Sequence, residues 1–303
     1  MGTDPREVNA RADFPCLFGP RFAKSRRRMG LTPMARKPPA RNWNRSRPDR
    51  RAARPRGRVR PQPLAPDGPA ILYGWHTVKA ALENPARRIR RLFATENAAR
   101  RLADDGVTLP VQPELVRPDA IDARLGPDAV HQGLLAEADP LAAPSIEELA
   151  ADGVVLVLDQ ITDPHNVGAI LRSAAAFAAK AIVTTARHSP EATGVLAKSA
   201  SGALELVPLV AVQNLARGLA ALKERGFLLV GLDSGGDADF ASVALRSPLA
   251  LVLGAEGKGL RQLTRETCDH VARIELPGAI TSLNVSNAAA VALYVATHRL
   301  AGG

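Results

Sequence analysis

Several features of secreted, membrane-bound or metal-dependent proteins are scarce in this sequence. Only two cysteines, Cys16 and Cys268, occur among 303 residues, too few for a disulfide framework or a thiolate metal site. The histidines show no metal-ligand spacing, so we expect no metal. No apolar run approaches the roughly 18–20 residues of a membrane span. The basic N-terminus has no apolar stretch after it that would make a secretory signal. We therefore expect a cytoplasmic protein without a membrane partner.

Most of the chain has no excess of positive charge. The whole excess lies in the first 69 residues. The net charge is +10. Residues 1–69 hold 18 lysines and arginines against 5 aspartates and glutamates, a net of +13, and the rest of the chain holds 22 against 25, a net of −3. The same segment carries 12 of the 24 prolines.

We predict that residues 1–69 form a disordered basic arm, because few apolar residues and much like charge cannot offset the entropy of ordering. Such an arm suits a polyanion, most simply RNA, through phosphate contacts. A solvated tail without a specific role is the alternative. Met29 and Met34 are alternative start sites to Met1.

Apolar periodicity divides the remaining chain into two modules. Residues 70–140 form a small α/β unit, with strands predicted near 72–74, 89–94 and 134–138 and helices near 76–84 and 97–104. Residues 141–152 are rich in proline and alanine and are predicted to be a linker with one short helix.

The second module, residues 153–303, alternates strands and helices. Its helices are amphipathic, and its strands are nearly continuous apolar runs: "VVLVLDQI", "AKAIVTT", "LVPLVAV", "FLLVGLD", "PLALVLG" and "HVARIEL". This pattern is typical of a parallel sheet covered by helices on both faces. Ligands of such sheets bind beyond the carboxyl ends of the strands.

The glycine-rich loop of this sheet comes late in the chain. The first strand is followed by "DQITDPHNVGAILR", which has no G-x-G-x-x-G motif, and no Walker loop is present. The glycines occur after the fifth strand, in "LVLGAEGKGL". A nucleotide-dependent oxidoreductase is nearly excluded by this position.

Three motifs follow strand ends and could meet at one edge of the sheet. They are "NVGAILR", the loop that contains Glu256, and "TSLNVSNAAAVALY", which has more small polar residues than one helix cap needs. Taken singly, each residue has a structural explanation. Asn166 could be a helix cap, Arg172 could be a surface charge, and Glu256 could fix the conformation of its loop. In combination they indicate an active site.

These motifs closely resemble those of the SpoU/TrmH family of the SPOUT class, the RNA ribose 2′-O-methyltransferases. The family's N-x-G-A-I-x-R, G-x-E-G-x-G and S-L-N-V-S motifs match, in order, within Asn166–Arg172, Gly254–Gly259 and Pro277–Ser286. "AKSASGALELVPL" resembles a further family stretch. The unit at residues 70–140 resembles the family's substrate-binding module, which has a ribosomal-protein-like α/β fold.

The resemblance implies a trefoil-knotted parallel-sheet domain that binds S-adenosylmethionine in the knot and works as a homodimer with a site shared across the interface. Carried over by matched position, the cofactor contacts are Gly254, Gly259, Ile274, Leu276, Leu283 and Asn284. The catalytic residues carried over in the same way are Asn166, Arg172, Glu256, Ser282 and Asn284.

The resemblance also assigns roles. Asn166 would place Arg172 or the ribose, and Glu256 would hydrogen-bond within the site. Ser282 would help hold an RNA phosphate or Arg172, and Asn284 would orient the methyl donor and the ribose. Gly278 would let the backbone fold over the cofactor, whereas Ser286 and Asn287 would be structural.

The general base for the ribose hydroxyl stays open. The family proposal is Arg172, aided by an RNA phosphate, but an arginine side chain ordinarily remains protonated in water. The proton could instead pass to the phosphate while Arg172 holds that phosphate bidentately.

The resemblance predicts a guanosine of large-subunit rRNA as substrate, because the family's tRNA enzymes usually carry short helical extensions in place of the module at residues 70–140. A tRNA 2′-O-methyltransferase is one alternative. The other is an RNA-binding or ribosome-assembly factor that has the fold without the chemistry.

Overall fold

The structure, a computed structural model, describes residues 68–126, 128–186 and 194–302. Residues 1–67 of the predicted basic arm lie outside the described residues. The described chain contains two sheets, one of four strands and one of seven. We call the elements around the first sheet the small module and those around the second the large module. None of the helices within the described ranges is long and apolar enough to cross a membrane.

The small module is a mixed sheet with three helices. In chain order its elements are β1 (Ala70–Tyr73), α1 (Trp75–Glu83), β2 (Ile89–Ala94), α2 (Glu96–Asp104), β3 (Glu114–Leu115), α3 (Pro118–Leu125) and β4 (Leu134–Ala138). The strand order is β1-β4-β2-β3, with β4 antiparallel to β1 and β2 and with β3 parallel to β2.

Strands β2 and β4 lie where the sequence predicts them, whereas β3 and α3 were not predicted. The physical reason is a weak apolar pattern. Strand β3 has two residues, both exposed, and α3 buries only Ile121. Helix α3 is nevertheless well started, because Pro118 occupies a first-turn position where its missing N–H costs no hydrogen bond.

The large module contains seven strands and five helices. In chain order they are β5 (Val154–Asp159), α4 (Pro164–Ala176), β6 (Ala181–Thr185), α5 (Gly194–Ala200), β7 (Leu209–Val212), α6 (Leu215–Glu224), β8 (Leu228–Leu232), β9 (Ala238–Asp239), β10 (Leu249–Gly254), α7 (Gln262–Thr267), β11 (His270–Arg273) and α8 (Val285–Ala301). Short 3-10 turns lie at Ile146–Glu148, Ala203–Glu205 and Phe240–Ser242.

All seven strands are parallel, in the order β7-β6-β5-β10-β8-β11-β9, and the predicted parallel sheet is confirmed. Alternate strand residues point to opposite faces, and both faces are buried. One face packs against α4, α5 and α8, and the other against α6. Each fully buried aliphatic side chain contributes roughly 1.5–3 kcal/mol, so burial on both faces explains why these strands are nearly continuous apolar runs.

Two details of the large sheet differ from the prediction. The two-residue strand β9 was not predicted, and β11 ends at Arg273 although "HVARIEL" continues to Leu276. Strand β11 pairs with β8 and with the short β9, so its ladder ends early. The apolar residues after Arg273 therefore leave the sheet and become available to line a cleft.

Candidate active site

In the loop after β10, two glycines approach each other closely. Gly254 ends β10, and Ala255 forms an isolated bridge with Gly259. A Cβ placed on Gly254 would overlap the carbonyl carbon of Gly259. Gly259 has φ +65°, and its own Cβ would collide with a carboxylate oxygen of Asp233. Both positions therefore require glycine, and both residues line the cleft at the end of the sheet.

Two carboxylates that were not predicted from the sequence anchor the end of this loop. The backbone N–H of Leu260 donates to Asp233 Oδ2 at 2.9 Å, and that of Arg261 donates to Asp159 Oδ2 at 3.0 Å. Asp159 is fully buried and also accepts from Arg261 Nε at 2.6 Å. Asp159 ends β5 and Asp233 follows β8, which are the two strands on either side of β10. The only available signal was that each aspartate follows an apolar strand.

The loop forms one wall of a cleft of about 630 Å³, within the usual range for small-molecule sites. The opposite wall comes from the segment between β11 and α8. Seven of the predicted site residues line this cleft: Gly254, Glu256, Gly259, Ile274, Leu276, Ser282 and Leu283. The charged side chains around it have both signs: Asp233, Glu256, Lys258, Arg273 and Glu275.

Asn284 begins α8 and joins it to α4. Its Oδ1 accepts from the backbone N–H of Ser286 at 2.9 Å and from Ser286 Oγ at 2.6 Å, so Asn284 is the helix cap. Its Nδ2 donates to Asn166 Oδ1 at 3.1 Å. The polar excess at this helix start therefore has two functions, capping α8 and connecting it to the first turn of α4.

Asn166 is not the cap of its own helix. Asp163 caps α4 by accepting from the N–H groups of His165 and Asn166, and Pro164 occupies the first turn. The cap interpretation of Asn166 is therefore wrong. With Asp163 in that role, the Asn166 side chain reaches Asn284 instead.

Arg172 lies in a second cleft, of about 370 Å³, between α4 and the first turns of α8. It is exposed on α4, and Ser286 and Asn287 of α8 line the same cleft. Within one chain, the structure brings Ser282 to the larger cleft and Arg172 to this one. The Asn166–Asn284 bridge connects α4, which carries Arg172, to the start of α8, which follows Ser282 by two residues.

Gly278 does not behave as expected from the resemblance. It is not among the glycines with positive φ, and a Cβ there would meet no atom within 4 Å. Nothing in the structure explains why this position is glycine.

Two other chemistries receive no support from the described residues. Burial raises the pKa of the Cys268 thiol to about 12, so this thiol stays protonated near neutral pH and is a poor nucleophile. Within residues 68–126, 128–186 and 194–302, no group of three His, Cys, Asp or Glu side chains could hold a metal ion.

The parallel α/β sheet carries the glycine-loop cleft at its strand ends, and the Asn166–Asn284 hydrogen bond joins the segment beside this cleft to the helix of Arg172. This is the arrangement expected of an S-adenosylmethionine-dependent methyltransferase from the sequence motifs. Residues 153–294 match the SpoU rRNA methylase family, and residues 71–144 match the RNA 2′-O ribose methyltransferase substrate-binding family. The chain belongs to the SpoU rRNA methylase family, and it is an S-adenosylmethionine-dependent RNA 2′-O-methyltransferase.

Named relatives and solved structures agree with this assignment. The 23S rRNA (guanosine-2′-O-)-methyltransferase RlmB of Ralstonia nicotianae is 40% identical over 244 residues, covering 76% of this chain and 95% of that protein. The RlmB of Pseudomonas putida is 36% identical over 239 residues, covering 75% and 96%. The SpoU methyltransferase AviRb of Streptomyces viridochromogenes, solved with AdoMet, has a TM-score of 0.65 and 26% identity over 77% of this chain and 90% of its own.

Asp233 gives a first prediction about the cleft. Asp233→Ala removes the acceptor of Leu260 N–H and of Gly235 N–H, and a hydrogen bond to a charged group contributes about 1.5–3 kcal/mol. We expect S-adenosylmethionine to bind about tenfold more weakly, as measured by isothermal titration calorimetry. Asp237→Ala, an exposed neighbour, is the control. Unchanged affinity in Asp233→Ala would show that the loop keeps its shape without this anchor.

Proposed function

We propose that this protein methylates the 2′-hydroxyl of a guanosine ribose in large-subunit rRNA, in the cytoplasm. The observation that carries the proposal is the Asn166–Asn284 bridge, which sets the arginine-bearing helix α4 beside the cleft lined by the glycine loop and by residues 274–283. The names of the 23S rRNA guanosine methyltransferases that resemble this chain support the choice of substrate.

The cleft residues fit S-adenosylmethionine. Gly254 and Gly259 contribute backbone to the wall of the cleft, apolar side chains such as Ile274, Leu276 and Leu283 line part of it, and charged side chains of both signs line the remainder. The residues that would hold the cofactor are Gly254, Gly259, Ile274, Leu276, Leu283 and Asn284. When bound, the cofactor supplies the methyl group on its sulfonium.

The protein's own residues would prepare the ribose hydroxyl. Asn284 and Asn166 restrict each other's orientation through their hydrogen bond, so either amide could place the ribose. Arg172 presents an exposed guanidinium that can hold an RNA phosphate through two parallel hydrogen bonds. The proton of the hydroxyl passes to that phosphate, or to Arg172 if the guanidinium has first given a proton to the phosphate. Ser282 and Glu256 supply further polar groups at the cleft.

We extend the proposal to the organisation of the chain. It consists of an RNA-binding arm at residues 1–69, a substrate-binding domain at residues 70–140, a linker at residues 141–152 and a trefoil-knotted catalytic domain at residues 153–303. In support of the knot, the segment after β11 lines the same cleft as the loop after β10, and α8 then packs on the core face that carries α4.

We propose that the active unit is a homodimer whose partner covers the Arg172 cleft. Apolar side chains lie in this cleft and near it. Phe177 lines it and meets Tyr294 edge-on, with ring centroids 6.3 Å apart. Tyr294 is 53% exposed and Val291 40%. A second copy seated there would bury these side chains and bring Arg172 towards the partner's cofactor cleft.

The test is transfer of a labelled methyl group from S-adenosylmethionine to unmodified rRNA or tRNA, with the site mapped by primer extension. A single guanosine stop in large-subunit rRNA is expected. Label in tRNA would keep the enzyme class and overturn the substrate. Label in neither RNA, together with no cofactor binding, would favour a non-catalytic RNA-binding protein.

The basic arm gives a second prediction. Deleting residues 1–69 removes 18 lysines and arginines, and each RNA phosphate that is no longer neutralised makes the plot of log affinity against log salt shallower by about 0.9 for duplex and about 0.7 for single strands. We expect a shallower slope and weaker RNA binding at low salt, while the modified nucleotide stays the same. Filter binding between about 50 and 200 mM salt measures the slope. An identical slope in the full chain and the deletion variant would contradict a role for the arm.

A further inference from the structure

A carboxylate of the large module is buried among three segments of the small module. Glu205 follows α5, and its side chain is 3% exposed. Its Oε1 accepts from Arg87 Nη2 at 2.6 Å, and its Oε2 accepts from Asn84 Nδ2 at 2.7 Å. Arg87 also donates from Nη1 to the backbone oxygen of Asp139 at 2.9 Å. The end of α1, the α1–β2 loop and the end of β4 thus form a socket for Glu205.

Burial distinguishes this ion pair from the others in the small module. Arg91 and Glu114 also pair, at 2.8 Å, but each side chain is 47% exposed, and exposed pairs contribute little to stability. The Arg87 side chain is only 5% exposed. A buried charge is tolerated only while its partners satisfy it, so the Glu205 socket specifies one arrangement of the two modules.

A second set of contacts lies beside the socket. Thr77 Oγ1 of α1 donates to the backbone oxygen of Ala197 in α5 at 3.1 Å, and Ala197 is part of the small module's core cluster. Gly202, with φ +91°, lies so close to α1 that a Cβ would press on the Cβ of Ala80. Helix α5 and the turn after it therefore form a continuous seat for the small module.

This seat is the layer directly behind the helix that carries Arg172. Gly168 of α4 packs on α5 at Ser199, where a side chain on the glycine would overlap the serine Cβ. Ser199 Oγ donates to the backbone oxygen of His165, one residue before Asn166. The small module is thus seated on elements that contact α4 directly.

We propose that the Glu205 socket locks the substrate-binding module in one orientation on the catalytic module, so that bound RNA is presented to α4 at a fixed geometry. The proposal rests on the proposed function, because it takes RNA as the substrate. A module held only by residues 141–152 would sample many orientations, which lowers the effective concentration of its RNA at the active site. Glu205 is therefore a positioning residue.

Two variants of the full chain test the lock. Glu205→Gln turns an amide group towards the donors of Arg87 and Asn84. Ala80→Arg places a long side chain between α1 and Gly202 while keeping the residues of the ion pair, Arg87 and Glu205. It therefore tests the docking even if Glu205→Gln fails to fold. Glu224→Gln, exposed on α6, is the matched control. Hydrogen exchange of residues 76–87 and 195–205 reports undocking, and steady-state methyl transfer gives KM and kcat.

We expect faster exchange in both segments and a KM for rRNA raised about tenfold in each variant, with kcat and the dissociation constant of S-adenosylmethionine within about twofold of wild type. Unchanged exchange in both variants would overturn the lock, and so would faster exchange with an unchanged KM for RNA. If wild-type protein transfers no methyl group to RNA, the proposed function fails separately. The exchange measurement then still decides the lock, with faster exchange supporting it and unchanged exchange refuting it.

Discussion

Arg172→Ala is expected to lower the rate of methyl transfer to rRNA by about 10²–10⁴-fold, the range of a positioned acid–base or phosphate-holding group. The dissociation constant of S-adenosylmethionine should stay within about twofold, because Arg172 lines the smaller cleft and the cofactor residues other than Asn284 line the larger one. Single-turnover methyl transfer with saturating cofactor measures the first effect, and calorimetry measures the second.

Arg217→Ala is the matched control. Arg217 is exposed on α6, which packs on the opposite face of the sheet from α4, so this variant should keep the wild-type rate. Arg172→Lys separates the two roles left open for the guanidinium. A lysine keeps the charge but loses the bidentate geometry, so a rate close to that of the alanine variant would favour phosphate holding. A wild-type rate in Arg172→Ala would contradict any catalytic role for this residue.

Much of the large module could be predicted because its apolar pattern is nearly uninterrupted. The parallel sheet follows from strands that must be buried on both faces, and the strand Val154–Asp159 and the helix after it lie close to their predicted positions. The small elements β3 and α3 could not be predicted, since their few buried residues leave no period to detect. Their positions depend on tertiary contacts that a local pattern does not contain.

The site was predicted in part, for a different physical reason. Glycine at positions 254 and 259 is demanded by close backbone approach, which leaves a recognisable spacing in the sequence. Asp233 follows β8 and accepts a hydrogen bond from the same loop. Strands β8 and β10 are neighbours in the sheet although β9 separates them in the chain, so the order of the sequence does not reveal this contact. The buried pair of Arg87 and Glu205 is equally hidden, because its partners are 118 residues apart.

Because the cofactor cleft and the Arg172 cleft are separate within one chain, we predict that activity can be restored by combining two inactive variants. If the partner's Arg172 completes each cofactor cleft, two inactive variants should restore activity when they form one dimer. The first is Arg172→Ala. The second is Gly259→Val, in which the added side chain collides with Asp233 at a backbone φ of +65°, so it should fail to bind S-adenosylmethionine.

Each homodimer should be nearly inactive. In the heterodimer, the intact cleft of the Arg172→Ala chain faces the intact arginine of the Gly259→Val chain, and the other site carries both defects. Co-expression with two different tags and tandem purification isolates this heterodimer, and its expected rate is about half that of wild type. If Arg172 serves the cleft of its own chain, both sites of the heterodimer are defective and no activity returns. A rate near zero in a heterodimer that still binds one cofactor would therefore place the whole site within one chain, and the apolar face around Tyr294 would then need another explanation.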